Sequence, residues 1–162
     1  MKFAIILITC ILLSSCTQFS KRELIHLYNK WEGKKMIFPH DSYFTIYAKD
    51  TIKNPFGNSK YKIVSYIDSI GCLSCKLKLA EWKSFIEQLD SVNDVSILMY
   101  FHPHNKREVT YLLKKSHFNL PVCIDEKDSL NKLNKFPMFD EFRTFLLDKN
   151  NKILAIGNPI HN

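Results

Sequence analysis

Apolar and polar positions along this chain follow a strand period and a helix period in turn. Tyr61 to Asp68 is rich in β-branched and aromatic residues with partial alternation, which predicts a strand. After a short turn, apolar residues recur at three- and four-residue steps from Leu73 to about Leu89, which predicts one helix. The change of period near Gly71 therefore marks a strand that is followed at once by a helix.

The same alternation continues toward the C-terminus. It predicts strands at Asp94 to Phe101 and Pro121 to Ile124, helices at Lys106 to Phe118 and Ser129 to Lys135, and a hairpin of Arg143 to Asp148 with Lys152 to Ile156. Upstream, Ser20 can cap an amphipathic helix that reaches Trp31, and Tyr43 to Tyr47 predicts one more strand. Strands and helices in this order predict an α/β fold with a mixed sheet.

The first residues have the pattern of an export signal. Lys2 is followed by the apolar run Phe3 to Leu13, which is too short to span a bilayer, since a span takes about 20 apolar residues. The run ends in Leu-Ser-Ser-Cys, which resembles the bacterial lipobox. We therefore expect a signal peptide at residues 1–15, lipidation of Cys16, and a lipid-anchored protein of the cell envelope, on the periplasmic side or at the outer membrane. An ordinary signal peptide with a chance cysteine is the alternative.

The remaining length suits one domain, because domains usually hold about 100 to 200 residues. We assign residues 16–60 to an N-terminal anchor and extension, and residues 61–162 to the main domain. Lys and Arg number 23 against 16 Asp and Glu, for a net charge of +7. The basic residues are scattered, with no arginine-rich or aromatic-interleaved stripe. We therefore expect a membrane surface as a partner and no nucleic acid.

Five cysteines narrow the chemistry. Cys10 would leave with the signal peptide and Cys16 would carry lipid, which leaves three cysteines in an oxidising compartment. Two of these form the sequence Cys-Leu-Ser-Cys at positions 72–75. One Cys-x-x-Cys is half of a zinc site, but no second pair and no His-x-x-x-His follows at the usual interval. A redox dithiol is the other interpretation.

The order of elements and this motif resemble the thioredoxin superfamily, and within it the redoxin-like, membrane-anchored thiol-disulfide oxidoreductases of bacterial envelopes. The resemblance covers about Tyr61 to Gly157, and the Cys-x-x-Cys is its strongest element. Pro121 to Asp125 and Thr144 to Ile153 are similar to two strands of that group around a short helix. The resemblance implies a thioredoxin-like fold, with a mixed central sheet flanked by helices, here with an N-terminal helix and strand extension.

One departure from that family concerns its substrate groove. The resemblance implies a cis-proline immediately before the strand that begins here near Thr144. Phe142 or Arg143 stands there instead, and the nearest proline is Pro137. Because cis bonds are essentially a proline property, we expect an altered groove.

Two further departures lie beside the cysteines. Many thioredoxins carry a buried acid on the strand that enters the motif, but Tyr66 occupies about that register, and Asp68 is two residues closer to the cysteines. Asp68 is therefore a candidate proton relay, although an Asp at a strand end is more often a turn or cap residue. Gly71 replaces the aromatic residue that commonly precedes the first cysteine.

A thiolate is the attacking species in disulfide exchange, and the N-terminus of a helix stabilises it. The predicted helix has Cys72 at its N-terminus and Cys75 one turn inside, toward the core. We expect Cys72 as the nucleophile and Cys75 as the resolving thiol, acting on envelope proteins with thiols or disulfides and served by an unidentified redox partner. A redox-silent binding or assembly lipoprotein with the same fold is the alternative.

The remaining candidates are weaker. Cys123 lies on an apolar strand, where a buried, inert thiol is expected. His102 and His104 could join the cysteines in a metal site, but a His-Pro-His stretch at a strand end is more typical of an exposed loop, so we predict no metal. No Gly-rich phosphate loop or hydrolase motif is present, and we predict no cofactor. No Pro-x-x-x-Thr-x-x-Cys precedes the pair, which argues against a peroxidase.

Overall fold

The computed structural model describes residues 21–52, 59–89 and 94–160. The chain divides into two compact units, one ending at Trp31 and the other beginning at Glu32. The described part of the first unit is helix α1, Lys21–Trp31. This confirms the predicted helix, while its expected cap, Ser20, lies outside the described residues, as do the predicted signal peptide and Cys16.

The second unit is built on a mixed sheet, with seven strands among the described residues. In chain order the strands are β1 Phe44–Ile46, β2 Asp50–Ile52, β3 Tyr61–Ile67, β4 Val95–Phe101, β5 Val122–Ile124, β6 Thr144–Asp148 and β7 Ile153–Ile156. The helices are α2 Leu73–Leu77, α3 Leu79–Leu89, α4 Lys106–Lys115 and α5 Ser129–Asn134, and a 3₁₀ turn spans Asp140–Arg143. The predicted α/β fold with a mixed sheet is confirmed.

The strand order is β2-β1-β5-β4-β3-β6-β7. β3, β4 and β5 are parallel neighbours, whereas β1 on β5 and β6 on β3 are antiparallel. Every residue from Lys62 to Ile67 in the central strand β3 is buried. A strand covered on both faces loses the clean alternation of apolar and polar residues, which explains the partial alternation in the sequence.

One buried cluster holds the cysteine-bearing segment against the sheet. It includes residues of β3, β4, α2, α3 and α4, among them Ile63, Phe101, Leu77, Trp82 and Leu113. Apolar burial is the main stabilising contribution in such a core. The position of α2 at the end of β3 is therefore fixed by side-chain packing.

The helix predicted from Leu73 to Leu89 is in fact two helices, and this prediction was wrong. Lys78 has φ 40° and ψ 47°, a left-handed conformation that ends α2 after five residues. Leu77 and Leu79 are 1% and 7% exposed, on either side of the break. Residues two apart do not face the same side of a continuous helix, so the turn at Lys78 lets both leucines enter the core.

Strand β2 was not predicted, whereas the final hairpin was. The turn between β1 and β2 has positive φ at Tyr47 and Ala48, two residue types that give no turn signal. The turn between β6 and β7 has positive φ at Asn151, as its sequence predicted.

Within the described ranges, no helix combines the length and the apolar character that crossing a bilayer requires.

Candidate active site

The cysteine pair lies directly after the central strand. Ile67 ends β3, Gly71 makes the turn with φ 77°, and Cys72 is the N-cap of α2 in an extended conformation. Cys72 and Cys75 form a disulfide with 5.4 Å between their Cα atoms. Both residues are exposed, so the expectation that Cys75 points toward the core was wrong. The short α2 turns Leu77 inward and leaves Cys75 at the surface.

Ser74, between the two cysteines, contacts the first of them. Its Oγ lies 3.3 Å from Cys72 Sγ. A disulfide sulfur carries no hydrogen, so the serine hydroxyl is the donor and the sulfur the acceptor. The same hydroxyl can donate to a Cys72 thiolate. No role was predicted for Ser74, because a serine at a helix start is usually a cap or a solvent contact.

Asp68 is buried and forms ion pairs with two cationic side chains. Its Oδ1 accepts a hydrogen bond from Lys76 Nζ at 2.5 Å, and its Oδ2 lies 2.9 Å from Arg143 Nη2. Oδ1 also accepts from the Ile70 N–H at 3.1 Å. Burial tends to raise the pKa of this carboxyl, but the Lys76 and Ile70 hydrogen bonds and the nearby positive charges outweigh it and lower the pKa. Asp68 is therefore ionised at neutral pH.

Arg143 occupies the position directly before β6 where the family resemblance implied a cis-proline. Among the described residues no peptide bond is cis. The Arg143 guanidinium joins Asp68 to the Pro137 carbonyl, which accepts from Nη1 at 2.9 Å. Phe142 is buried, and its N–H donates to the Phe139 carbonyl. Of Phe142 and Arg143, Arg143 is thus the residue whose side chain contacts Asp68 beside the cysteines.

Tyr66 takes the register of the missing buried acid. Its hydroxyl donates to Asp128 Oδ1 at 2.6 Å, and the Arg143 guanidinium lies 5.7 Å from its ring centre. Burial, with the hydrogen bond to Asp128, raises the pKa of Tyr66 well above its ordinary value. Tyr66 therefore stays neutral and serves as a hydrogen-bond donor.

The other candidate residues contact parts of the structure other than the cysteine pair. His102 Nδ1 makes a 2.9 Å contact with the Asp125 carbonyl, and His104 is exposed. In the described part of the chain, no three His, Cys, Asp or Glu side chains are grouped so that they could hold a metal ion. Cys123 is buried and free, and burial, reinforced by the Asp125 charge, raises its pKa to about 12. Such a thiol is protonated at neutral pH, as expected of an inert cysteine.

Comparison with solved structures identifies the fold. A structure described as the C-terminal domain of a thiol-disulfide oxidoreductase from Bacteroides thetaiotaomicron has a TM-score of 0.57 and 15% identity, covering 78% of this chain and 86% of its own. StoA from Bacillus subtilis has a TM-score of 0.53 and 19% identity, covering 70% and 84%. Peroxiredoxin Q from Xanthomonas campestris has a TM-score of 0.53 and 12% identity, covering 75% and 84%.

These similarities establish a thioredoxin-like fold, which confirms the resemblance found in the sequence. At such identities the likeness concerns the fold alone. No protein-family model matches the chain, and no curated protein matches it significantly.

Proposed function

We propose that this thioredoxin-like chain exchanges disulfides with thiol- or disulfide-bearing proteins of the cell envelope. The observation that carries the proposal is the exposed Cys72–Cys75 disulfide at the start of α2. A Cys-x-x-Cys at a helix start favours exchange, because thiolates are stabilised there and both sulfurs are accessible. A disulfide between residues three apart closes a very short loop, so a purely stabilising role gains little.

The exchange proceeds in two steps from the reduced form. The Cys72 thiolate attacks one sulfur of a substrate disulfide, which forms a mixed disulfide and expels the other substrate sulfur as a thiolate. The Cys75 thiolate then attacks Cys72 Sγ, which re-forms the Cys72–Cys75 bond and releases the second substrate thiolate. Two electrons pass from the protein to the substrate, and the reverse sequence oxidises a substrate dithiol. Ser74 supports the first step, because its hydroxyl can donate to Cys72 Sγ.

Asp68 contributes to the proposed reaction as a positioning residue. It fixes Lys76, the residue after Cys75, and ties this segment to Arg143, directly before β6. A proton relay through Asp68 stays a prediction, and its lowered pKa and paired oxygens make the carboxylate a weak base.

The envelope location belongs to the same proposal. It is supported by the N-terminal apolar run, by the small residues before Cys16 and by the net charge of +7, which suits an anionic membrane surface. An exported compartment is also oxidising, and there a dithiol can pass electrons to or from other proteins.

Reduction of insulin disulfides by the purified protein, with dithiothreitol as electron source, tests the proposed activity. We expect catalysed precipitation of the insulin B chain, abolished by Cys72→Ser and retained by the matched variant Cys123→Ser. No acceleration over dithiothreitol alone would contradict disulfide exchange and would favour the redox-silent binding or assembly module. Equal losses in Cys72→Ser and Cys123→Ser would also contradict it, because Cys123 has no part in the mechanism.

A further inference from the structure

A cavity of about 220 Å³ lies against Cys75. Its walls come from the end of β3, from α2 and its break, and from the start of β6, and they include Cys75, Lys76, Lys78, Arg143 and Thr144. The volume corresponds to roughly seven water molecules. It can take a small polar group attached to a substrate that reacts at the cysteines.

Two polar atoms of the residues that line this cavity have no partner. Arg143 Nε and Thr144 Oγ1 are buried, and neither makes a hydrogen bond within the described part of the chain. Thr144 is 1% exposed, so solvent does not reach its hydroxyl freely. Buried donors without partners are costly and rare in native proteins, and each needs an explanation. A bound acceptor group would supply one.

The other Arg143 contacts hold its guanidinium in place. Nη2 pairs with Asp68 and Nη1 donates to the Pro137 carbonyl, which leaves Nε as the nitrogen without a partner. A guanidinium fixed by two such contacts needs no reordering to bind a further acceptor, and preorganised donors bind at lower entropic cost.

The charge of the lining favours an anion. The carboxylate of Asp68 is already matched by Lys76 and Arg143. Lys78 forms no ion pair with any described residue, and its side chain is half-buried at the cavity. Asp140, the other acid of the lining, is exposed to solvent, where its charge is screened. The cavity is thus lined by one uncompensated cation and by two residues that each carry a buried polar atom without a partner.

We propose that this cavity binds a carboxylate of the disulfide substrate, through Arg143 Nε, Thr144 Oγ1 and the Lys78 ammonium. The inference rests on the proposed function, since the carboxylate is held beside Cys75 while its substrate reacts. Two sources share this chemistry: a small disulfide with a carboxylate a few bonds from sulfur, and an acidic side chain next to a half-cystine in a protein.

Binding is tested without catalysis by titrating the purified disulfide form with propionate while the Arg143 Nε–Hε resonance is followed by NMR. Propionamide, the neutral analogue, is the control ligand. We expect a saturable shift with propionate alone, and an affinity about three- to tenfold weaker in Thr144→Val. The matched variant Thr110→Val removes a hydroxyl that donates to the Lys106 carbonyl on α4, and it should bind as the wild type does.

A second pair of variants keeps the test independent of how Thr144→Val folds. Lys78→Gln should weaken propionate binding, and Lys83→Gln, on the exposed part of α3, should not. An equal response to propionate and propionamide would overturn the inference, as would the absence of a saturable shift. Equal weakening in Lys78→Gln and Lys83→Gln would overturn it too.

Exchange kinetics identify the source of the carboxylate. The reduced protein is given 3,3′-dithiodipropionate or its diamide, and a peptide disulfide with Glu or with Gln beside the half-cystine. A lower KM for the carboxylate member of the small pair indicates a small substrate, and a lower KM for the Glu peptide indicates a protein. Exchange without preference in either pair overturns the inference and leaves the proposed function standing. No exchange with any of the four contradicts the proposed function, and the titration then decides the cavity alone.

Discussion

Asp68→Asn gives a sharp test of the charge network beside the cysteines. The substitution keeps the size of the side chain but removes the charge that faces Lys76 and Arg143. The side chains of Asp68, Arg143 and Lys76 are 9%, 17% and 29% exposed. Breaking a fully buried pair costs about 3–5 kcal/mol and an exposed one about 0–1 kcal/mol. For this partly buried network we expect a loss of about 2–3 kcal/mol.

The loss should depend on pH in a defined direction. The pKa of Asp68 is lower in the folded protein than the unfolded value of about 3.9. Its contribution to stability is therefore fully present above that unfolded value and is lost as pH falls through the folded pKa. The stability difference between wild type and Asp68→Asn should stay constant from pH 7 to about pH 5, and should narrow below about pH 4.

Urea unfolding followed by circular dichroism across this pH range measures the difference. Glu126→Gln is the matched control, because it removes a carboxylate from the exposed Lys106–Glu126 pair and should cost less than about 1 kcal/mol. Equal stability of wild type and Asp68→Asn at pH 7 would refute the network. A difference that stays constant below pH 4 would refute the lowered pKa.

Two further predictions concern the lipid anchor and the reactivity of the Cys72 thiol. Cys16→Ala should move the protein out of the membrane fraction and abolish labelling by a radiolabelled fatty acid, because acylation needs the thiol; undiminished labelling of the variant would contradict lipidation. Ser74→Ala should slow alkylation of reduced Cys72 by iodoacetamide at pH 7 by about two- to tenfold, since it removes the hydroxyl that can donate to Sγ. Ser84→Ala, an exposed serine on α3, should leave that rate unchanged, and equal rates in both variants would argue against the hydrogen bond.

The strands of the sheet centre and the cysteine motif were predictable because their signals are local. β3 and β4 are long β-branched and aromatic runs. After Ile67 the spacing of apolar residues changes from the strand period to the helix period, which indicates the helix that begins beside Cys72. Order of elements and motif together were enough to indicate a thioredoxin-like fold. The terminal hairpin was predictable for the same reason, since an Asn at its turn tolerates positive φ.

The surroundings of the cysteines were not predictable, because they depend on contacts between distant segments. Pairing of Ser65 with Thr144 brings β6 beside β3, and only this register sets Arg143 against Asp68. The break at Lys78 was also not predicted, because a lysine gives no signal for a left-handed conformation. Because of that break Cys75 is exposed, although the helical period of the sequence places it on the buried face of one long helix.

Trapping of mixed disulfides in cells tests the central claim most directly. In Cys75→Ser the first attack proceeds and resolution fails, so adducts with envelope proteins should accumulate on non-reducing gels and disappear on reduction. Cys72→Ser removes the nucleophile and should trap few adducts, while Cys123→Ser should match the wild type. Strong trapping by Cys75→Ser alone is the result that disulfide exchange through Cys72 predicts. Equal trapping by Cys72→Ser and Cys75→Ser, or none by either, would contradict it.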